Sequence, residues 1–172
     1  MKYLYYKNIK KIPLNIKQQI ENNISPIDDI LNDLCSGYDT ENYLFMILMD
    51  RKNLVGLLGI VYISSKMKKM MNLNFREKTY EIRDVFILPE YRGKGLCKKM
   101  IEEIKSHVIK YDIARRLKLH VLENNLSAFN CYTSAGFKIY KNKLAKKWLN
   151  NNFEKYFGFK PKEEQYILTV KL

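Results

Sequence analysis

The sequence predicts an α/β fold in which helices cover both faces of a single sheet. Three observations carry this. Residues 43–49 and 54–64 are nearly continuous apolar runs separated by Asp50-Arg51-Lys52-Asn53, a β-hairpin whose arms need cover on both sides. Residues 79–88 read as a strand that runs through a short two-glycine loop into an amphipathic helix. Residues 117–122 read as a further apolar strand with a second helical segment after it. At 172 residues the chain has the length of one domain, spanning 1–172.

Taken in order, residues 2–6 form the first expected strand, and residues 8–13 a turn. Leu14, Ile16, Ile20 and Ile24 predict a helix after Pro13. Ser25-Pro26-Ile27-Asp28 is a helix start, with Ser as N-cap, Pro in the first position and an acid in the first turn. Ile27, Ile30, Leu31 and Leu34 continue it at helical spacing until Gly37. Residues 66–78 are basic and methionine-rich without a clean period. They read as an exposed loop, or as a mobile one that meets an acceptor or partner.

In the strand over 79–88, alternation sends Glu81, Arg83, Val85 and Ile87 to one face. Ile82, Asp84, Phe86 and Leu88 take the other, so Glu81 and Asp84 are not expected to act together. Leu96, Met100, Ile104 and Val108 form the core stripe of the helix from Gly95 to about Lys110. The strand over 117–122 precedes a helix over 125–135, a strand over 137–140 and a last strand over 165–172. Residues 143–163 carry Trp148, Phe153, Tyr156, Phe157 and Phe159 and read partly as helix. That segment either closes over an acceptor or packs as a structural flap.

The net charge of +13 attracts polyanions. The basic residues are spread through the chain, and no nucleic-acid-reading motif accompanies them, so nucleic acid is not an expected partner. Cys35, Cys97 and Cys131 make neither a CxxC pair nor a metal-ligand set. They predict reduced thiols, no metal and an intracellular, cytoplasmic setting. No apolar run reaches the ~20 residues of a membrane helix, and the N-terminus lacks a signal-peptide pattern.

Arg92-Gly93-Lys94-Gly95-Leu96-Cys97 links strand to helix. Such a loop leaves several backbone N–H groups without intrahelical partners, at the positive end of the helix dipole. Gly93 and Gly95 remove the side chains that would hold an anion off, and Arg92, Lys94, Lys98 and Lys99 add positive charge. The arrangement suits a phosphate. A P-loop NTPase would need Ser or Thr after a Gly-Lys pair, and a dinucleotide fold a third spaced glycine; neither is present.

These residues resemble the phosphate loop of the GNAT acetyltransferase superfamily, Gln/Arg-x-x-Gly-x-Gly/Ala, with Cys97 in place of the usual Gly or Ala. Downstream, Leu119-x-Val121 and Asn125-x-x-Ala128-x-x-x-Tyr132-x-x-x-Gly136-Phe137 are similar to a second motif of that family. The resemblance covers roughly residues 79–140 closely. It implies a mixed, mostly antiparallel sheet of six or seven strands with helices on both faces. It also implies acetyl-CoA as cosubstrate, no metal, and direct transfer to a primary amine in a ternary complex.

On this resemblance, residues 92–98 hold the diphosphate, with Asn125 beside them. Backbone N–H groups of the preceding strand at Val85, Phe86 and Ile87 reach the acetyl oxygen and pantetheine, which makes Arg92, Gly93, Lys94, Gly95, Leu96, Cys97 and Lys98 part of the same cofactor-binding set. Tyr132 sits where the family places the general acid for the leaving thiolate. Glu81 and His120 both match positions where family members carry a catalytic base, and the choice stays open. Cys97, at a helix N-terminus beside Lys98, is expected to be a thiol of lowered pKa. A small amine or amino sugar is the favoured acceptor, because residues 91–96 look locally similar to glucosamine-phosphate acetyltransferases. A protein N-terminus or lysine is second, a CoA-binding sensor or basic binding module the non-enzyme rival, and a homodimer is left open.

Overall fold

The computed structural model describes residues 1–26, 29–30, 42–157 and 163–172. Seven strands form one sheet in the order β1-β2-β3-β4-β5-β7-β6. They are β1 (Lys2–Tyr6), β2 (Tyr43–Asp50), β3 (Asn53–Tyr62), β4 (Thr79–Ile87), β5 (Arg116–Leu122), β6 (Lys138–Ile139) and β7 (Gln165–Lys171). Every pairing is antiparallel except β4 with β5. The helices are α1 (Leu14–Asn23), α2 (Ser65–Met70), α3 (Leu96–Lys110), α4 (Leu126–Ser134) and α5 (Lys143–Phe157). The predicted mixed, mostly antiparallel sheet is therefore observed.

The unbroken apolar runs of β2 and β3 have the predicted cause. Phe45, Ile47, Leu57 and Val61 face one core, where they meet Ile16 and Ile20 of α1 and Ala145, Leu149 and Phe153 of α5. Leu44, Met46, Leu58 and Ile60 face the other, against Leu96, Met100, Ile104 and Val108 of α3 and Tyr132 of α4. Both faces of the central strands are dry, so neither arm has a polar alternate.

Two expectations change, and the helix read within residues 143–163 is met. Residues 66–78 are not an exposed loop. Ser64 caps α2 by accepting from the Met67 amide at 3.2 Å, and Met67, Met71, Leu73 and Phe75 are buried in the first core. Asn72 and Asn74 are tied to Asn142 and Tyr140 by hydrogen bonds of 3.0 Å. The apolar residues of this stretch have a core to fill, and that outweighs its lysines. Residues 143–157 form one continuous helix, capped by Asn142, whose Oδ1 accepts from Leu144 and Ala145 at 3.0 and 3.1 Å. The helix expected from Ser25 to Gly37 lies mostly outside the described residues.

The second change is in β4. Gly59 pairs with Arg83 and Leu57 with Phe86, so Asp84 and Val85 together oppose Leu58. This is a β-bulge, and Asp84 adopts φ 54° to make it. The extra residue breaks the alternation. Ile82 packs in the α3 core together with Val85 and Ile87, while Phe86 and Leu88 face the α1 core. Gly56 sits opposite Ile87, just past this bulge, where a Cβ would collide with the Phe86 carbonyl oxygen.

Candidate active site

The bulge is followed by a separation of strands. β4 pairs with β5 only where Thr79, Tyr80 and Glu81 meet Arg116, Leu117 and Lys118. Beyond Glu81 the two strands diverge, and backbone groups of β4 lose their β5 partners. A cleft opens between them, bounded on the outside by α3 and α4.

The outer part of the cleft is a cavity of about 720 Å³. Val85, Phe86 and Ile87 line it from β4, Asn125 and Tyr132 from α4, and Arg92, Gly93, Gly95, Leu96, Cys97 and Lys98 from the loop and the first turn of α3. Gly93 and Gly95 have φ 74° and 69°, and no atom lies within 4 Å of where a Cβ would stand on either. Gly95 is the N-cap of α3 and supplies no side-chain cap. The first intrahelical bond runs from the Lys99 amide to Gly95 at 3.2 Å. The amides of Leu96, Cys97 and Lys98 therefore have no intrahelical acceptor. They converge on the cavity at the positive end of a 15-residue helix.

The loop's cations are held in place. Arg92 donates from Nε to the Ile87 carbonyl at 2.9 Å and lies over the Phe86 ring. Lys98 pairs with Glu102 at 3.7 Å. The Lys94 ammonium turns back to the Glu90 carbonyl at 3.0 Å, and its side chain is not among those lining the cavity. Asn125 caps α4, its Oδ1 accepting from the Ala128 amide at 3.1 Å. Its amide nitrogen is the group left for the cleft.

Cys97 is not a thiol. It is bonded to Cys131 of α4, with the Cα atoms 6.2 Å apart. This corrects the expectation of free thiols for both residues and removes any titration of Cys97; Cys35 lies outside the described residues. The helices bring together two residues 34 apart in sequence, a spacing that matches no local motif.

The inner part of the cleft is a cavity of about 230 Å³ that passes through the sheet. Tyr132 and Ala128 border it on the α4 side, Phe153 and Gln165 on the α5 side, and Glu81, Asp84 and His120 lie between. Glu81 and Asp84 thus line one cavity, contrary to the simple alternation, because the bulge turns Asp84 inward. Asp84 also borders a third space of about 180 Å³ with Ile24, Leu57 and Phe86.

Tyr132 is buried and packs against Phe137 at 6.4 Å between ring centres. Burial pushes its hydroxyl up to about 12, so it stays protonated at neutral pH. Glu81 and His120, alternatives in the sequence, are parts of one cluster. Glu81 Oε1 lies 3.4 Å from His120 Nδ1. Glu81 Oε2 accepts from Lys118 Nζ, and the exposures of 1% and 0% for Glu81 and Lys118 exclude water from that pair. Burial raises the Glu81 carboxyl, but attraction to Lys118, His120 and Arg83 outweighs it and holds the group at about 2. Burial, aided by the Lys118 charge and opposed by Glu81, drives the His120 imidazole down to about 3. Burial lowers the Lys118 ammonium, an effect the Glu81 carboxylate opposes, and the two groups make an ion pair beside a neutral imidazole.

Lys118 and Gln165 were not singled out in the sequence, and Cys131 was read there only as a free thiol. A lysine two residues before His120 in an apolar strand was the available signal for the first. Among the described residues, no three His, Cys, Asp or Glu side chains are grouped to hold a metal ion, and no helix is long and apolar enough to cross a membrane.

The fold recurs in solved structures. One is the spermidine N-acetyltransferase of Vibrio cholerae in complex with CoA and spermine, with a TM-score of 0.62 and 16% identity over 98% of this chain and 95% of that one. Another is a Bacillus subtilis acetyltransferase in complex with CoA, with a TM-score of 0.65 and 12% identity over 99% and 98%. At such identities the likeness concerns the fold. In sequence, the spermine/spermidine N(1)-acetyltransferase of Bacillus subtilis is 38% identical over 53 residues, 31% of this chain. The match spans about a third (35%) of that relative's length. The family model described as "Acetyltransferase (GNAT) family" matches residues 14–137, which include the phosphate loop, the divergence of β4 from β5, and Tyr132. The chain belongs to that acetyltransferase family.

Proposed function

We propose that this chain is an acetyl-CoA-dependent N-acetyltransferase that carries an acetyl group to a small primary alkyl amine by direct transfer. The observation that carries the reading is the cleft between β4 and β5. It joins a helix N-terminus with open amides, at one end, to a carboxylate-lined passage through the sheet, at the other. A long substrate with a diphosphate at one end and a thioester at the other matches that layout. CoA-bound neighbours of the same fold support the choice.

In this reading the amides of Leu96, Cys97 and Lys98 bind the diphosphate. Backbone N–H groups of Val85 and Ile87, released by the divergence, stabilise negative charge that develops on the acetyl oxygen. The acceptor reacts as the free amine, its ammonium having first lost a proton to solvent; the nitrogen then bonds to the acetyl carbon, the carbon–sulfur bond breaks, and CoA leaves as a thiolate that takes a proton from solvent. Tyr132 donates a hydrogen bond to the departing sulfur. Full proton transfer from a hydroxyl at about 12 to a thiolate of pKa ~8.5 is uphill by roughly 5 kcal/mol, so stabilisation of the thiolate is its main contribution. His120 accepts the proton that the nitrogen sheds. A weak base suffices there, because nitrogen bonded to the acetyl carbon is far more acidic than a free ammonium.

Asp84 favours a cationic alkyl acceptor. It stands between the inner passage and the small space lined by Ile24, Leu57 and Phe86, with Ser25 beside them. A carboxylate at the mouth of an apolar slot suits an ammonium on a hydrocarbon chain. The relatives named for spermine and spermidine agree with that class. An acceptor screen over polyamines, amino sugars and peptides, reporting free CoA thiol, tests the reading. Turnover is expected with alkyl amines. Absence of turnover on every amine, with CoA still bound, would favour a sensor.

A further inference from the structure

Lys118 has no part in the chemistry above, yet it is fully buried, at 0% exposure, behind the Glu81 side chain that lines the inner cavity. A buried ion pair adds little net stability, and an apolar pair of similar volume usually serves the fold as well. Its contacts suggest a different purpose. The Glu81 carboxylate is divided between two neighbours, with Oε2 on Lys118 Nζ and Oε1 on the side of His120 Nδ1. Lys118 and Glu81 face each other directly in the β4–β5 register. The carboxylate therefore cannot rotate without breaking a buried ion pair.

We propose that Lys118 is a positioning residue which, acting through Glu81, fixes His120 as a neutral imidazole with its hydrogen on Nδ1. The hydrogen on Nδ1 points to Glu81, and Nε2 keeps the lone pair that takes the acceptor's proton. A carboxylate beside histidine would by itself draw a second proton onto the ring. Burial is the main force that keeps the ring neutral, and the Lys118 charge offsets the carboxylate's pull, so the same carboxylate orients the ring without charging it. Around the ring, the charged groups are Glu81, Arg83 and Asp84 on β4 and Lys118 on β5. Tyr132 of α4 stays protonated, and Phe153 of α5 and Gln165 of β7 are uncharged.

The assignment of His120 as base rests on the acetyltransferase reading, but the proposed effect on its charge and tautomer does not, and nitrogen-15 NMR of the imidazole reads both without turnover. In the native chain the ring is expected to hold its hydrogen on Nδ1 and to stay neutral down to below pH 5. Lys118→Met should raise the His120 pKa by at least one unit, a tenfold change in its acid constant, while Lys118→Arg should leave it near the native value. If Lys118→Met does not fold, the apolar pair Glu81→Met/Lys118→Met removes both charges at similar volume, and the ring should then populate the Nε2–H tautomer. An unchanged pKa in Lys118→Met, or an unchanged tautomer in the double variant, overturns the proposal and leaves Lys118 as packing alone.

Discussion

Cys97 and Cys131 join the first turn of α3 to α4, one residue before Tyr132, and both border the outer cavity. The two helices that form the cavity's outer wall are thus covalently tied. Closing a loop of 34 residues restricts the unfolded chain by about 4 kcal/mol on the chain-entropy account. Cys97→Ala/Cys131→Ala is expected to lower stability by that order, with Tm about 10 °C lower. Urea or thermal unfolding of the oxidised and double-variant proteins checks this. Alkylation of native, unreduced protein should leave Cys97 and Cys131 unlabelled; rapid labelling of either would contradict the bond.

Acid should weaken the fold early. Glu81 is held at about 2 against an ordinary 4.5, and His120 at about 3 against 6.5. Both groups bind fewer protons in the folded state than in the unfolded chain. Stability therefore falls as pH drops, from about 6.5 through the histidine and from about 4.5 through the carboxyl. Glu81 alone contributes about 3 kcal/mol across its window. Glu77, held near 2 chiefly by its hydrogen bond from Arg116, acts in the same direction. Urea midpoints measured from pH 7 to 3.5 should decline throughout; a flat profile down to pH 4 would mean the buried cluster is not charged as described.

Tyr132→Phe removes one hydroxyl at the inner end of the cleft and keeps the packing against Phe137. A hydrogen bond to a developing thiolate is worth about 1.5–3 kcal/mol. The expected result is a fall in kcat of roughly 10- to 100-fold, with the KM for acetyl-CoA within about twofold of native. Steady-state kinetics with the best acceptor distinguishes this from a packing role, which would show in Tm and leave kcat in place.

What was legible in the sequence was local. The turn at Gly93 and Gly95, the core stripe of α3 and the α4 motif each sit within a few residues; the turn borders one cleft together with Asn125, Ala128 and Tyr132, while the α3 stripe fills the core beside it. The strands and most of their bounds follow from apolar runs alone. The missed features depend on distant pairing. Asp84 turns into the passage only because Leu58 faces two residues of β4, which alternation within β4 does not contain. Lys118 reaches Glu81 through a parallel register between residues 37 apart. Met67 and Met71 were spaced as a helix face, but the surrounding lysines masked the core they fill.

Asp84 offers the cleanest test of acceptor class. Its φ of 54° lies in the left-handed region, where Asn is accommodated about as well as Asp. Asp84→Asn therefore keeps the bulge and removes only the charge. If this carboxylate receives the acceptor's ammonium, the KM for the alkyl amine should rise about 10- to 100-fold, the range of a charged hydrogen bond worth 1.5–3 kcal/mol. The KM for acetyl-CoA and the unfolding midpoint should stay near native, since the loop at Gly93 and Gly95 proposed to hold the diphosphate borders the outer cavity and Asp84 the inner one. Higher ionic strength should raise the native KM for a di- or polyamine more than that of the variant, because screening acts on an attraction the variant no longer has. An acceptor KM unchanged in Asp84→Asn would separate the bulge from substrate recognition and point instead to a neutral acceptor in the slot beside Leu57 and Phe86.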